Sequence, residues 1–177
     1  EVLGSHAHHA RRYKDWPATP QYEFLADTIW GQYAYGRNAV YPWGDHGNAV
    51  LSKFPIARYE NRDVSISGPE KRGLLHCVLH VPREEPQGGA VGGQVEVHVI
   101  CVHLGLQESH RRQQVALLCE MIRAEVPDDA PLLIAGDFND WRFHAHHQLS
   151  RHTGLKEVHV TGHGRAARTF PARWPVL

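Results

Sequence analysis

The sequence predicts a mixed α/β fold with strands covered by helices, and three observations carry that prediction. Residues 99–104 are almost unbroken apolar sequence, the pattern of a strand covered on both faces. Residues 108–126 repeat their apolar side chains at helical spacing. Residues 131–135 then form an apolar run that stops at Gly136-Asp137-Phe138-Asn139, as a strand does when it delivers polar groups at its end.

The elements follow in order. Residues 5–20 are polar, contain two prolines, and are expected to form a loop. Residues 22–30 place Tyr22, Leu25, Ala26 and Ile29 on one face of a short helix. Residues 33–43 are aromatic and punctuated by Gly and Asn. Asn48-Ala49-Val50-Leu51-Ser52 reads as a strand closed by Phe54-Pro55-Ile56. Residues 64–66 alternate weakly and residues 74–81 read as a strand. Residues 82–94 hold two prolines and four glycines and suit a turn or hairpin loop. Residues 95–104 are strand again. In the helix at 108–126, Val115, Leu118, Cys119, Ile122 and Val126 make an apolar stripe opposite Arg111, Arg112 and Glu120, and Pro127 ends it. The strand at 132–135 is expected to be short and buried. Residues 144–153 suit a helix terminated by Gly154, residues 155–160 a short strand, and residues 169–177 extended chain.

Composition narrows the class. With 177 residues, 42% hydrophobic and 21% charged, the chain suits one globular domain with a substantial core. Nineteen basic and nineteen acidic residues cancel, so net charge exerts no global pull toward nucleic acid. A polyanion would need a local patch, for which Arg11, Arg12, Lys14, Arg37 and His46 are candidates; solubilising surface is the other reading. No apolar run is long enough to cross a bilayer. Cys77, Cys101 and Cys119 read as small core residues in a reducing compartment, with a metal or redox role as the alternative. Histidine is the anomaly, at 15 residues, with His6-Ala7-His8-His9 and His144-Ala145-His146-His147 repeating one pattern. Exposed polar positions and transition-metal binding are the two readings of those runs.

Asp137 and Asn139 carry the chemistry. Two residues apart in extended chain, their side chains point the same way. A carboxylate there can take a proton or hold a cation, and a carboxamide can donate to an anionic oxygen. That pairing suits hydrolysis of a phosphate ester.

Four stretches in order resemble the endonuclease/exonuclease/phosphatase superfamily, the DNase I-like group that also holds repair nucleases, sphingomyelinases and inositol phosphatases. They are Glu1-Val2, similar to the end of a Gln-Glu-Val strand motif; residues 47–56, Gly-Asn-Ala-Val-Leu-Ser-Lys-Phe-Pro-Ile; residues 99–104, a strand ending in His103-Leu104; and Gly136-Asp137-Phe138-Asn139. The resemblance implies a four-layer α/β sandwich, two mixed sheets face to face with helices outside, here a single partial domain over 1–177. It implies Mg2+- or Mn2+-dependent attack of water on a phosphodiester, with DNA, RNA, a phospholipid head group or an inositol phosphate as substrate. By the same resemblance Glu1 holds the metal, and Asp137 orients or deprotonates water with possible metal contact. Asn139 donates to a phosphate oxygen or positions Asp137, and His103 contacts the scissile phosphate. Arg72, Asn48 and His6 are the substrate-binding candidates, with Tyr35 as a further pocket candidate. Residues 35–46 look close to a small bacterial subgroup, which implies a bacterial cytoplasmic protein. The alternative is a non-catalytic member of the fold, or a His-rich transition-metal binder.

One departure matters. The family closes with a Ser-Asp-His motif whose histidine is the general acid/base, and none follows Asn139 here. Asp45-His46 is the only Asp-His pair, and it is expected in an upstream loop. Both ends of the sequence look cut. Losing a general acid/base costs on the order of a hundredfold in rate, so residues 1–177 alone are expected to be a poor catalyst. Mg2+-dependent turnover by this stretch at the rate of the full-length protein would contradict that.

Overall fold

The computed structural model describes residues 1–27, 29–83 and 93–165. Strands β1 (Val2–His6), β2 (Gln32–Tyr41) and β3 (Gly44–Ser52) form an antiparallel sheet in the order β1-β3-β2. Strands β4 (Ile56–Asp63), β5 (Gly73–Pro82), β6 (Gln94–His103) and β7 (Leu132–Asp137) form the second sheet in that order. Its β6–β7 pair is parallel and the others antiparallel, so one sheet is antiparallel and only the other is mixed. The helices are α1 (Ala7–Arg12), α2 (Gln21–Ala26), α3 (Glu108–Glu125), α4 (His144–Thr153) and α5 (Val158–His163).

Period-two alternation decides which sheet face each residue serves. Leu75, Cys77 and Leu79 of β5, with Val97 and Val99 of β6, point at Ala34 and Val50 and fill the space between the sheets. Leu74, Ile100 and Val102 point the other way, onto Val115, Leu118, Cys119 and Ile122 of α3 and Ala145 and Leu149 of α4. On the far side, α2 covers the first sheet through buried Ala26 and through Tyr22, whose ring stacks on Tyr35 at 4.3 Å. The result is four layers, helix–sheet–sheet–helix. Among the described residues no helix is long and apolar enough to cross a membrane.

Several expectations change. Residues 5–20 are not all loop: β1 runs to His6 and α1 follows. The helix expected at 22–30 stops at Ala26, and Leu25 and Ile29 of its supposed inner face are exposed. Strand β4 was hidden by its sequence, because as a sheet edge it presents polar side chains such as Arg58 and Glu60 to solvent. Residues 64–66 follow β4 rather than forming a strand, although Val64 is buried in the core. Arg111, expected on the polar face of α3, is buried. Strand β7 is an edge strand rather than a buried one: Leu132 and Ile134 pack on the core while Leu133 is half exposed. Helix α5 stands where a strand was expected at 155–160, and Gly154 ends α4 in the left-handed conformation as predicted. Most of the loop at 82–94 and all of the stretch at 169–177 lie outside the described residues.

A polar group sits in the outer face of the second sheet. His98 is fully buried, and its Nδ1 lies 2.8 Å from His76 Nε2. His76 Nδ1 lies 3.1 Å from Glu125, which also pairs with Arg62. Glu125 accepts, so neutral His76 carries its proton on Nδ1 and leaves Nε2 to accept from His98. Burial first, then the neighbouring His76 and Arg58, hold His98 below the usual histidine value of 6.5. The unfolded chain therefore binds the extra proton more readily as pH falls, and the stability carried by neutral His98 is lost below that value. The urea midpoint is expected to fall between about pH 7.5 and about pH 5.5, and the fall to shrink in His98→Asn. An equal fall in both proteins would contradict the assignment.

Candidate functional site

The site is built where the strand ends of the two sheets meet. Parallel pairing of β6 and β7 sets His103 opposite Asp137, and Leu104 N–H donates to the Asp137 carbonyl at 2.8 Å to close the ladder. Gly136 permits this. Its φ is +137°, and a Cβ there would lie 2.0 Å from the Val102 carbonyl oxygen. The chain then turns: Asn139 N–H donates to Asp137 Oδ1 at 2.9 Å, with Asn139 in the left-handed region that asparagine tolerates. The Asp137 side chain is exposed. Asn139 Nδ2 donates to the Leu104 carbonyl at 2.8 Å.

From the other sheet, Glu1 reaches the same place. Its carboxylate lies 2.6 Å from His46 Nε2 and 3.6 Å from His103 Nδ1. Burial, followed by the charge of Arg72, holds His103 below the ordinary histidine value, against the opposing pull of Glu1 and Asp137. Arg72 Nε donates to the Leu104 carbonyl at 3.3 Å, and its Nη2 meets Glu70 at 2.7 Å. Asn48 spans the two sheets, donating from Nδ2 to the carbonyls of Gly73 and Cys101. Its Oδ1 is buried without a partner.

Glu1, His103, Asp137, Asn139 and Arg72 are thus tied into one neighbourhood by direct or shared contacts, while Asn48 bonds the carbonyls of Gly73 and Cys101, next to Arg72 and two residues before His103 in the chain. His6 is not among them. It ends β1 at the far side from Glu1, caps α1 by accepting from His9 N–H, and stacks on the His9 ring at 3.6 Å. Tyr35 also lies elsewhere, under α2, where its hydroxyl donates to Asp45 and burial pushes its phenol up. Asp45-His46 is on a strand rather than in a loop, so alternation sends the two side chains to opposite faces and no dyad forms. The two His-Ala-His-His runs are engaged in the protein's own contacts: His144 pairs with Glu108, and Asp140 receives the backbone N–H groups of His144 and His146. Among the described residues no group of three or more His, Cys, Asp or Glu is placed to hold a metal ion.

Two contributors escaped the sequence reading. Arg111 donates to the carbonyls of Gly105 and Leu106, and Gln114 accepts from Gly105 N–H while donating to the Val64 carbonyl. Both fix the loop that follows His103. Their spacing of three on one helix turn was the available signal. His46 was noticed as a charge and as half of the Asp45-His46 pair, yet its role is contact with Glu1.

A family model described as Endonuclease/Exonuclease/phosphatase family matches residues 1–176. Over 177 residues the chain is 55% identical to the uncharacterized protein YbhP of Escherichia coli (strain K12), covering 100% of this chain and 66% of that protein. YbhP of Shigella flexneri matches with the same identity and coverage, 55% and 66%. The chain therefore spans slightly less than two thirds of the length of these curated relatives. Among solved structures, D. rerio TDP2 complexed with single strand DNA product aligns with a TM-score of 0.44 at 15% identity, over 92% of this chain and 50% of that one.

The tight approach at Gly136 makes a direct test of the site's frame. Gly136→Ala is expected to lower the unfolding free energy by about 3 kcal/mol, combining left-handed strain with a backbone clash. Gly31→Ala, where an added Cβ meets nothing within 4 Å, serves as the control. Equal urea midpoints for the two variants would contradict the account.

Proposed function

The chain belongs to the endonuclease/exonuclease/phosphatase family, and on that premise we propose that it is a divalent-metal-dependent phosphoesterase that directs water onto a phosphodiester. The observation that supports this most is the meeting of Glu1, from one sheet, with the His103–Asp137 pair formed by the parallel strands of the other.

The donor chemistry suits a hard cation. Glu1 and Asp137 offer carboxylate oxygens, and Asn48 Oδ1 is a buried oxygen with no donor of its own. Mg2+ is commonly held by one or two carboxylates with water and substrate phosphate completing its shell. Glu1 and Asp137 are the residues that would hold Mg2+ or Mn2+. The ion supplies positive charge for phosphate oxygens and eases deprotonation of water.

The remaining work falls to side chains. Asp137 orients the attacking water through Oδ2, because Oδ1 is committed to the Asn139 backbone. Asn139 holds that aspartate by bracing its turn against Leu104. One Nδ2 hydrogen stays available to a phosphate oxygen. His103, beside both carboxylates, donates to charge growing on the phosphoryl group. Arg72 adds a cation whose direction is fixed by Glu70 and by the Leu104 carbonyl.

In the full-length protein, Asp137→Asn is expected to lower turnover of bis-p-nitrophenyl phosphate by about a hundredfold or more with Mg2+ or Mn2+ present. Chelation by EDTA is expected to abolish turnover, and added Mg2+ to restore it. Unchanged turnover in Asp137→Asn, or indifference to EDTA, would overturn the proposal.

A further inference from the structure

A second concave surface takes no part in the chemistry proposed for the candidate site. It lies between the β2–β3 hairpin tip and the segment running from α1 to Pro20, and encloses about 900 Å³. The two walls are fastened by Ala7 N–H donating to the Trp43 carbonyl at 2.6 Å.

Aromatic rings stand on both walls or directly behind them. On the hairpin, Tyr41 and Trp43 lie within 8° of parallel at 5.9 Å, and the His8 ring sits 5.3 Å from Trp43. Across from them His6 stacks on His9, whose ring packs edge-on against Trp16 at 4.7 Å. A core role would bury these rings, yet Trp43 is 42% exposed and Tyr41 40% exposed. Of the charged side chains that line the cleft, Arg37 pairs with Asp45, and the adjoining run of residues 6–14 includes Arg11, Arg12 and Lys14 together with His6, His8 and His9. A chain of contacts links the cleft to the phosphoesterase site. The Tyr41 ring lies 5.3 Å from that of His46, and His46 holds Glu1.

We propose that this cleft is a stacking subsite for a nucleobase of a single-stranded nucleic acid whose phosphate lies at Glu1 and His103. The inference rests on the phosphoesterase reading and names the substrate class for it. Exposed ring faces beside a cationic run are the chemistry that binds unpaired bases, because every base has a π-face and every linkage a negative charge. The concavity decides between this and a membrane. A flat bilayer surface does not fill a slot of this depth, whereas its volume is within the range of pockets that enclose ring-bearing ligands. His6, set apart from the catalytic cluster, has its place in this cleft.

The test measures binding by fluorescence anisotropy with full-length protein, in Ca2+ to suppress turnover. The probes are a labelled single-stranded DNA of about 12 nucleotides and an abasic strand with the same number of phosphates. Trp43→Ala is expected to weaken binding of the base-bearing strand about tenfold and to leave the abasic strand nearly unchanged, since one stacked base is lost. Trp43→Phe, which keeps a ring, is expected to retain most of the affinity. An unchanged urea midpoint in both variants separates lost stacking from lost folding. No loss in Trp43→Ala, or an equal loss on both strands, would overturn the subsite. So would a loss confined to binding of phosphatidylglycerol vesicles. Bis-p-nitrophenyl phosphate, which has no base, reports the phosphoester chemistry of the wild-type protein separately from base-dependent binding. A wild-type protein inactive on that substrate would remove the phosphoesterase reading, while turnover without base-dependent binding would remove only the stacking subsite.

Discussion

The close approach of β7 to β6 at their carboxyl ends is the constraint on which the candidate site depends. A parallel pair brings corresponding strand ends to one edge, so His103 and Asp137 leave the sheet side by side. The approach is possible because Gly136 has no side chain to strike the Val102 carbonyl. Once the strands are that close, Leu104 can continue the ladder through its N–H, and its carbonyl is left to collect donors. Asn139 and Arg72 both come to that single oxygen. One backbone group thereby fixes the turn after Asp137 and the guanidinium beside His103.

The second requirement is that the other sheet arrive in register, and polar side chains see to it. Asn48 crosses from β3 to the carbonyls of Gly73 and Cys101, while Asn61 of β4 donates to the Arg37 carbonyl and to Asn38. Gly73 leaves room for this, since a Cβ at that position would lie 2.1 Å from Asn38 Oδ1. Apolar contacts between Ala34, Val50 and the β5–β6 face supply attraction without direction. Directional bonds near the rim fix the relative placement of the sheets, and hence the distance from Glu1 to His103.

Legibility in the sequence followed burial pattern. Strands β5 and β6 and helix α3 were readable because one or both of their faces are apolar at the right period. Strand β4 was not, because an edge strand with one solvent face gives Arg58 and Glu60 no reason to be apolar. Residues 33–43 withheld their strand because Gly36 and Asn38 are there for close packing against Asn61 and Gly73 rather than for propensity. At the site, the Gly-Asp-Phe-Asn turn and His103 were visible as polar residues closing apolar runs. Their partners His46, Arg111 and Gln114 were not, since contact across 45 or more positions leaves no local mark in the case of His46 and Glu1. The stripe rule also misplaced Arg111: helical periodicity separates apolar from polar faces, but it does not say that a polar residue faces water.

Arg111 shows why that exception is informative. A buried guanidinium is costly unless its donors are met. Among the described residues its contacts are two carbonyls, those of Gly105 and Leu106, and no carboxylate neutralises it. Carbonyl dipoles lower the cost of burying the ion without cancelling its charge. The positive field therefore persists beneath the loop that follows His103. Arg72 differs, because Glu70 offsets it directly. An anion entering between Glu1 and Asp137 meets two carboxylates first, and the fixed cation behind the loop opposes their repulsion. A hydrophobic residue at position 111 would fill the space and leave Gly105 and Leu106 without donors. The loop after His103 would then lose both its anchor and the charge beneath it.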